Sequence, residues 1–377
     1  MNLEESRKKI DSIDKELIKL FKKRMDTVCD VAKYKKENGL PIYNGQRERE
    51  VVNNLTKEVP EELALYVKVL YNTLFSVSRG YQTKMIDGES GIVKKIKEAL
   101  ESTENMMPAS ALVACQGTEG AYSQKACEKL FGNPQVMYFD TFKGVLDAVN
   151  VGMCRYGILP LENSVHGTVT EVYDLLSSYD FSIVKVAKIQ INHVLAAKKK
   201  DAKITEICSH RQAIGQCDKY IKSLPGVNVT QYDNTAMAAE MVANSDRDDM
   251  ACICSKECAL TYGLNIINDN ITDSDNNYTR FICISKTPEI YPGADKISFV
   301  VTLPHIAGSL YSVMSKFAAA NINLTKIESR PIPGRDFEFE FYFEVEASVY
   351  SEELYAVLSE MENSDEKFKF FGCYREV

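Results

Sequence analysis

Hydrophobic residues near the amino terminus recur at intervals of three and four, a spacing that places them on one face of an α-helix. The pattern continues for about 30 residues, which is roughly 45 Å at the helical rise. It stops at Asn38-Gly39-Leu40-Pro41, and further helical patterns begin at Gln46 and after Pro60. Residues 1–87 are therefore predicted to form an all-helical domain. So long a helix exceeds what this small domain can cover, so the pattern also favours an intertwined dimer.

A polar, turn-rich stretch at residues 88–109, which includes a charged helical piece, is interpreted as a linker. Beyond it, short apolar runs alternate with helical patterns. Strands are predicted at Ala111–Cys115, Val136–Phe139, Tyr156–Leu161, Ile183–Ala197, Ile204–Ser209, Val227–Tyr232, Met250–Cys254 and Thr279–Ser285. This alternation predicts an α/β domain with largely parallel sheets over residues 110–286.

Two prolines and a glycine between Thr287 and Gly293 mark a second boundary. The segment that follows, residues 295–377, alternates between strand and helix patterns. The predicted elements are strand Ile297–Leu303, helix Leu310–Ala320, strand Asn323–Ser329, a turn at Pro333-Gly334-Arg335-Asp336, strand Phe337–Glu346, helix Glu352–Glu362 and strand Phe368–Tyr374. This βαββαβ order predicts an α+β, ferredoxin-like unit.

Composition limits the function classes. A chain of 377 residues exceeds a single core, which agrees with several domains. The net charge of −8 argues against a nucleic-acid surface, so we expect local cations to bind any anionic ligand. The amino terminus lacks a secretory signal and no segment is apolar enough to span a bilayer, so a cytoplasmic protein is expected.

The eleven cysteines are scattered through strand-like runs, which favours reduced, buried thiols over a disulfide framework. Cys252, Cys254 and Cys258 come closest to a metal-binding spacing, but paired CxxC motifs do not occur. A structural role in the core is therefore favoured over zinc, and no metal is expected.

One face of the first predicted helix, called the seam below, is largely apolar but includes three cations: Arg7, Arg24 and Lys35. Their burial without partners would be costly, so the seam predicts an anionic ligand. The alternative is that these long side chains snorkel from the edge of the apolar stripe. Arginines suit a substrate with two carboxylates, and a buried lysine can donate to an oxygen that gains negative charge.

Further polar residues complete a pattern that resembles the all-helical chorismate mutases over the whole first domain. The matching residues are Arg7, Arg24, Lys35, Asn44, Arg47, Glu48, Ser78 and Gln82. The resemblance implies that Arg24 and Arg47 hold the two carboxylates of chorismate, and that Arg7 comes from the other subunit of the dimer. It also implies that Lys35 and Gln82 stabilise the ether oxygen during the rearrangement to prephenate, while Glu48 binds the ring hydroxyl. Asn44 departs from the family, which more often has Asp there, so the backbone or a weaker amide contact would serve.

The central domain has polar segments where predicted strands end, which is where α/β sheets place ligand sites. They are Gly117-Thr118-Glu119-Gly120-Ala121-Tyr122-Ser123, Pro160 to Thr168, Ser209-His210-Arg211-Gln212 and Thr279-Arg280-Phe281. The glycine-rich turn is a weak signal by itself, because such turns often only satisfy the backbone. A lone His210 is likewise more typical of a cap or a core residue than of a catalyst.

This set resembles prephenate dehydratase from about Ala111 to Ser285, with a two-lobed fold like that of periplasmic binding proteins. The resemblance implies loss of water and carbon dioxide from prephenate, without a cofactor, to give phenylpyruvate. Thr279 would assist the leaving hydroxyl, and Arg280 would either be structural or hold a carboxylate. The residues expected to bind prephenate are Tyr122, Ser123, Glu162, Asn163, Ser164, Thr168, Ser209, Gln212 and Arg280.

The carboxy-terminal unit carries Ala307-Gly308-Ser309-Leu310 and Glu328-Ser329-Arg330-Pro331. These segments resemble the phenylalanine-binding motifs of ACT domains, although an ordinary turn and strand end would also explain them. The resemblance implies that Gly308, Ser309, Leu310, Glu328, Ser329 and Arg330 bind L-phenylalanine as a feedback inhibitor, in a homodimer or higher homo-oligomer.

Two alternatives compete with a bifunctional mutase and dehydratase. A non-catalytic sensor of amino acids would have no need for Arg24, Lys35 and Gln82 beside Arg47 and Glu48. A mutase joined to prephenate dehydrogenase would require a GxGxxG dinucleotide turn, and Gln116-Gly117-Thr118-Glu119-Gly120 is not one.

Overall fold

The structure is a computed structural model that describes residues 2–87, 90–332, 334, 338–363 and 367–377. It divides into two compact units. The first contains Met1–Lys95, Val301–Phe343 and Tyr350–Phe368, and the second contains Ile96–Val300, Glu344–Val349 and Lys369–Val377.

The amino-terminal part of the first unit is helical, as predicted. It contains α1 (Leu3–Glu37), α2 (Gly45–Leu55), a short 3₁₀ helix (Thr56–Glu58) and α3 (Glu61–Asp87). A capping box begins α1, because the Asn2 side chain accepts from the Glu5 backbone N–H at 2.9 Å and the Glu5 carboxylate accepts from the Asn2 N–H at 3.1 Å. The helix stops before Gly39, which has a φ of 62°.

These helices bury little of their apolar surface. In α1 the one buried residue is Ala32, and the described side chains of α3 that are buried belong to Ser78, Gln82 and Thr83. Large apolar side chains of α1, by contrast, stay more than half exposed, among them Leu17 at 55% and Leu20 at 63%. Such a continuous apolar stripe on a soluble helix indicates a surface that another element covers.

The segment predicted as a linker contains a further helix, α4 (Gly91–Ser102). It buries Ile92, Val93, Ile96 and Ala99, and the Ser90 side chain accepts from the Val93 N–H at 3.2 Å. The sequence indicated a charged helical piece here but assigned it to the linker, whereas the burial of its apolar residues shows that the helix packs.

The second unit is built around two sheets. The elements of the first lobe are β1 (Leu112–Gln116), α5 (Tyr122–Leu130), β2 (Gln135–Phe139), α6 (Phe142–Asn150), β3 (Tyr156–Asn163), β4 (Gly167–Thr168), α7 (Thr170–Ser178) and β5 (Ser182–Gln190). Those of the second lobe are β6 (Val194–Ala197), β7 (Glu206–His210), α8 (Arg211–Gln216), α9 (Asp218–Lys222), β8 (Asn228–Tyr232), α10 (Thr235–Asn244), β9 (Met250–Cys254), α11 (Lys256–Thr261) and β10 (Asn265–Asn268). The chain then returns to the first lobe as β11 (Tyr278–Ser285).

The strand orders are β2-β1-β3-β11-β5, with β4 paired to β3, and β10-β6-β9-β7-β8. Each sheet is mixed rather than largely parallel. In the first, β1 pairs in parallel with β2 and β3, whereas β11 runs antiparallel to both β3 and β5. In the second, β7 pairs in parallel with β8 and β9, whereas β6 is antiparallel to β9 and β10.

The single strand predicted at Ile183–Ala197 is two strands in different sheets, because the chain leaves the first lobe after β5 and enters the second as β6. It crosses at residues 191–193 and returns at residues 269–277. Both ends of the run are apolar, so its sequence pattern did not reveal the crossing.

The carboxy-terminal segment contains β12 (Lys296–Leu303), α12 (Ser309–Ala319), β13 (Asn323–Pro331), β14 (Phe339–Glu346), α13 (Glu352–Glu362) and β15 (Lys367–Tyr374). Its sheet order is β13-β14-β12-β15. The βαββαβ order of elements is therefore the predicted one. Of the turn predicted at residues 333–336, all but Gly334 lies outside the described residues.

Candidate active sites

A cavity of about 340 Å³ lies among α1, α2 and α3. This volume lies within the range that is usual for small-molecule sites. Seven of the eight residues predicted for the helical domain meet there. The lining residues are Arg24, Val28, Lys35, Ile42, Asn44, Arg47, Glu48, Val51, Tyr71, Phe75, Ser78, Arg79 and Gln82.

Arg24 is held from the side of α3. Its guanidinium donates to the hydroxyl of Ser78 and, at 3.5 Å, to the carbonyl oxygen of Leu74, and its Cζ lies 5.9 Å from the centroid of the Phe75 ring. These contacts fix the orientation of a planar cation whose other N–H groups can bind an anion.

Lys35 and Gln82 bring N–H donors to the same cavity. Lys35 Nζ donates to the carbonyl oxygen of Ile42 at 2.5 Å, and burial lowers the pKa of Lys35, an effect that the nearby negative charge of Glu48 opposes. Gln82 is 6% exposed and its Nε2 donates to the Ser78 carbonyl at 3.2 Å. Its buried Oε1 finds no partner within the described part of the chain, which is typical of an amide that meets a ligand or an ordered water.

Asn44 has a structural role. Its side chain caps α2 by accepting from the Arg47 N–H at 3.0 Å, which places Arg47 and Glu48 in the first helical turn. A cap also accounts for an asparagine at this position, because Asn is among the preferred N-cap residues.

Sequence reasoning missed Arg79, which donates to the Glu48 carboxylate at 2.5 Å. Its Cζ also lies 5.4 Å from the centroid of the Tyr43 ring. The one sequence signal was its place beside Ser78, which by itself is weak. This ion pair holds the Glu48 carboxylate, so Glu48 is a fixed acceptor.

Arg7 lies outside the cavity, on the exposed first part of α1. It precedes Arg24 by 17 positions, which is about 25 Å along a helix at 1.5 Å per residue. Arg7 therefore cannot reach the cavity of its own subunit.

In the two-lobed domain, Thr279 and Asn163 are paired across the adjacent strands β11 and β3. Asn163 Nδ2 lies 2.9 Å from Thr279 Oγ1, 2.8 Å from Asn277 Oδ1 and 3.1 Å from the carbonyl oxygen of Tyr278. Ser164 ties the same loop down, because its hydroxyl donates to the Asn276 carbonyl at 3.0 Å and accepts from the Tyr278 N–H at 2.9 Å. Thr279 accepts from the amide, so its own O–H can be donated.

Arg280 and Glu162 form the next cross-strand pair and, because side chains alternate along a strand, they lie on the opposite face from Thr279. Arg280 pairs with Glu162 and Glu344 at 2.6 Å each, and with Glu376 at 2.7 Å. Three carboxylates thus surround a guanidinium that is 13% exposed. This arrangement favours the structural alternative for Arg280 and argues against prephenate binding by Arg280 and Glu162.

Two other predicted ligand residues are also bound to backbone groups. The Ser123 hydroxyl donates to the Gln116 carbonyl at 2.5 Å, and the fully buried Ser209 hydroxyl donates to the Ile253 carbonyl at 2.6 Å. The glycine at position 120 has its own explanation, because its φ is 84° and a Cβ there would lie 2.9 Å from Cys258 Cα. These positions shape the fold around the site and do not present free polar groups to it.

The remaining predicted residues are placed as follows. Tyr122 begins α5 and donates from its hydroxyl to the Asn192 carbonyl at 2.7 Å, where the lobes meet. Gln212 is exposed in the first turn of α8, and Thr168 pairs with Glu162 through β4.

In the carboxy-terminal segment, Gly308 precedes α12 with a φ of 93°, and Ser309 and Leu310 form its first turn. Glu328, Ser329 and Arg330 lie on β13, at the edge of the sheet. Gly308 thus has a backbone conformation that favours glycine over other residues.

No helix in the described ranges is long and apolar enough to cross a membrane. The same ranges contain no cluster of His, Cys, Asp and Glu suited to a metal ion. All eleven cysteines are free thiols, ten of them buried.

Comparisons with known proteins match both regions of the chain. The family model described as chorismate mutase type II matches residues 6–83, and the model described as prephenate dehydratase matches residues 113–289. A bifunctional chorismate mutase/prephenate dehydratase from Aquifex aeolicus is 30% identical over 99% of this chain and 97% of its own length.

Two solved structures match the dehydratase region and extend beyond it. A prephenate dehydratase from Arthrobacter aurescens, solved in complex with L-Phe, is 27% identical over 70% of this chain and 89% of its own, with a TM-score of 0.64. A protein described as a novel type of quorum-quenching acylase is also 27% identical, over 71% of this chain and 98% of its own, with a TM-score of 0.63. The fold of this region therefore does not by itself decide the reaction.

The helical cavity and the two-lobed domain together define an enzyme with two active sites, one a mutase and the other a dehydratase. The chain belongs to the family of bifunctional chorismate mutase/prephenate dehydratases, because the match to the Aquifex aeolicus protein spans almost all of both chains. Both enzyme activities belong to this single polypeptide.

Proposed function

We propose that the cavity among α1, α2 and α3 rearranges chorismate to prephenate, and that the two-lobed domain converts prephenate to phenylpyruvate under feedback control by L-phenylalanine. The observation that carries this proposal is the meeting of Arg24, Lys35, Arg47 and Gln82 in one cavity. Arg24, Lys35 and Gln82 are held by hydrogen bonds to protein groups, and a Claisen rearrangement needs neither a nucleophile nor a base.

In the mutase step, Arg24 and Arg47 bind the two carboxylates of chorismate. Lys35 and the second N–H of the Gln82 amide donate to the ether oxygen, which gains negative charge as its C–O bond breaks and the new C–C bond forms. Glu48, held by Arg79, accepts from the ring hydroxyl. Donors that are already oriented stabilise the transition state without reorganisation, and this is the largest contribution that such a site can make.

The mutase site includes Arg7 of a second subunit. The exposed apolar stripe of α1 and the distance of Arg7 from its own cavity both support a dimer in which α1 of each subunit runs across the other. Co-expression of Arg7→Ala with Lys35→Ala tests this arrangement. A mixed dimer has one site with both defects and one intact site, so random mixing should restore about a quarter of the wild-type mutase activity. Two variants that stay inactive together would argue for a site within one subunit.

In the dehydratase step, Thr279 donates its O–H to the ring hydroxyl of prephenate. The hydroxyl leaves as water while the ring carboxylate leaves as carbon dioxide, and the ring becomes aromatic. The support for Thr279 is its contact with Asn163 Nδ2, which orients the hydroxyl as a donor. Thr279→Val keeps the β-branched shape and should abolish dehydration of added prephenate while prephenate formation continues.

Regulation is assigned to the carboxy-terminal βαββαβ segment as an ACT domain with a ferredoxin-like fold. Its sheet order and the Gly308 conformation support this assignment. The solved dehydratase with L-Phe supports it too, because that structure matches 70% of the chain and so extends beyond residues 113–289, which the dehydratase family model matches. L-Phenylalanine would bind at Gly308, Ser309 and Leu310 together with the Glu328-Ser329-Arg330 strand end, and shift the equilibrium between oligomeric states.

The direct test incubates the purified full chain with chorismate, with and without L-phenylalanine, and follows chorismate loss and phenylpyruvate formation. Conversion to phenylpyruvate that L-phenylalanine suppresses is the expected result. Conversion that stops at prephenate would refute the dehydratase proposal, and conversion that L-phenylalanine leaves unchanged would refute the regulatory one.

A further inference from the structure

Three of the four histidines of the chain, His166, His193 and His210, lie where the two lobes meet. They come from three separate segments: the turn after β3, the crossing at residues 191–193, and the end of β7. None of them belongs to the residues assigned above to prephenate. Their convergence calls for a chemical explanation, because a random placement of four histidines would scatter them.

A continuous chain of polar contacts joins this group to the proposed catalytic threonine. The Tyr122 hydroxyl lies 3.2 Å from His193 Nδ1, and His193 Nε2 lies 2.8 Å from Gln216 Oε1. Gln216 Nε2 then lies 3.2 Å from His166 Nδ1. His166 Nδ1 in turn lies 3.3 Å from the side-chain oxygen of Asn163, the residue whose amide nitrogen contacts Thr279.

His193 is the fixed end of this chain. It is 1% exposed, and burial lowers its pKa to about 4, so the ring is neutral near pH 7. Both nitrogens of this neutral, buried imidazole have polar partners, Tyr122 and Gln216, so the ring can hold the Gln216 side chain in one orientation. His166, in contrast, is exposed on the turn between β3 and β4 and can exchange protons with solvent.

The Asn163 amide has an unambiguous orientation. Its oxygen accepts from the backbone N–H groups of Val165 at 3.0 Å and His166 at 2.9 Å, so the nitrogen must face Thr279. Thr279 and the His166 ring therefore contact opposite ends of one rigid amide.

Either protonation state of the His166 ring has a partner in this arrangement. The Asn163 oxygen can only accept, which suits a protonated Nδ1, whereas Gln216 Nε2 can only donate, which suits a bare Nδ1. Because both contacts are made by Nδ1, Nε2 is the ring nitrogen available to a ligand. The acid form therefore keeps its Nδ1 proton on Asn163, whereas Gln216 stabilises the neutral tautomer that carries its proton on Nε2.

Dehydration of prephenate consumes a proton. The electron pair of the bond to the departing carboxylate enters the ring, the bond to the ring hydroxyl breaks, and hydroxide must be protonated to leave as water. A threonine hydroxyl can donate a hydrogen bond but is too weak an acid to supply this proton near neutral pH. A histidine titrates in the required range, and proton donation by a positioned acid is typically worth about 10²- to 10⁴-fold in rate.

We propose that His166 is the general acid of the dehydratase site and that Asn163, whose oxygen can accept from a protonated Nδ1, is its positioning residue. The imidazolium donates its Nε2 proton to the departing ring hydroxyl, which Thr279 also contacts, and keeps its Nδ1 proton on Asn163. Solvent then reprotonates the neutral ring. This inference rests on the proposed placement of the dehydratase site at Thr279.

The titratable groups around His166 are His210, on the second lobe, and His193, along the chain of contacts. Asp273 lies behind Gln216, because its backbone N–H donates to the Gln216 carbonyl at 2.7 Å. His210 provides a matched control. Its Nδ1 accepts from the Gln212 N–H at the start of α8, and an asparagine at this position can make the same cap.

The test measures dehydration of added prephenate by the full-length His166→Gln, His210→Asn and Thr279→Val variants between pH 5 and 9. His166→Gln should lower kcat by about 10²-fold or more with little change in KM, and should remove the fall of kcat with rising pH that follows loss of the imidazolium proton. His210→Asn should retain the wild-type kcat and pH profile. Mutase activity of each variant, measured with chorismate, reports whether the chain is folded.

Four results would overturn the proposal. A His166→Gln variant whose kcat stays within threefold of wild type excludes an acid role, and so does one that keeps the alkaline fall of kcat. A rise in KM alone would make His166 a binding residue. A fully active Thr279→Val variant would show that the dehydratase site is not at Thr279. An inactive Thr279→Val variant together with an active His166→Gln variant would refute only the acid role of His166.

Discussion

Lys35→Met is the sharpest test of the mutase site, because methionine keeps most of the apolar stem and removes the ammonium group. In the structure that group donates to the Ile42 carbonyl at 2.5 Å and shares its cavity with Glu48 and Gln82. A fixed donor aimed at developing charge is typically worth about 10²- to 10³-fold in kcat, or roughly 2.7–4 kcal/mol. We therefore expect prephenate formation to fall by that factor, while dehydration of added prephenate is unchanged.

The effect of this substitution on stability should be much smaller than its effect on rate. Burial lowers the pKa of Lys35 below its ordinary value of 10.5, with Glu48 opposing the shift, so the folded chain binds this proton less tightly than the unfolded chain does. The charged form is therefore slightly unfavourable to folding, and the contribution of Lys35 to stability rises as pH increases between the folded and unfolded pKa values. Thermal unfolding of Lys35→Met should occur close to the wild-type temperature, because the lost hydrogen bond to the Ile42 carbonyl opposes the gain from removing a desolvated charge.

The wild-type mutase rate needs protonated Lys35, so it should fall as pH rises through the lowered pKa, at a lower pH than an exposed lysine would give. Lys35→Met should lack this fall. Lys33→Met, on the same helix with a side chain 76% exposed, is the matched control and should behave like wild type. Full mutase activity in Lys35→Met, or loss of dehydration along with it, would show that the assignment of Lys35 to the transition state is mistaken.

Three further predictions follow from other parts of the structure. Arg280→Gln removes the guanidinium that pairs with the 5%-exposed Glu344 carboxylate, which keeps Lys296 at 3.1 Å, and should destabilise the protein by about 1–3 kcal/mol in denaturant unfolding. An unchanged midpoint would contradict the structural role. Gly308→Leu forces a side chain onto a backbone with a φ of 93°. It should abolish inhibition by L-phenylalanine while both activities of the uninhibited enzyme remain. Loss of activity and inhibition together would count against the regulatory assignment. Leu17→Glu places a charge on the exposed apolar stripe of α1. Sedimentation should show a smaller oligomer, and rate measurements should show little mutase activity. An unaltered oligomer would place the interface elsewhere.

Local pattern predicted most elements of this protein. The period of α1, the break after Asn38 and the βαββαβ order of the tail all depend on interactions between neighbours in sequence, so they can be read from the chain. The cations of the helical seam were also readable, because a charge at an apolar position is costly enough to indicate a ligand. The errors lie where the local pattern carries no information. In the run Ile183–Ala197 both strands are apolar, so the pattern does not show that they belong to different sheets.

The amino-acid sequence by itself determined which residue types are available for each reaction, and in which domain they lie. Only the tertiary structure decided which of them meet. Strand register places Thr279 with Asn163 on one face and Arg280 with Glu162 on the other, although all four belong to equally suggestive motifs. Helix packing likewise brought the unpredicted Arg79 to Glu48, and the meeting of the lobes joined His166 to Gln216. The physical reason is that hydrogen bonds and ion pairs act over about 3 Å, and which side chains come within that distance depends on contacts between residues far apart in sequence.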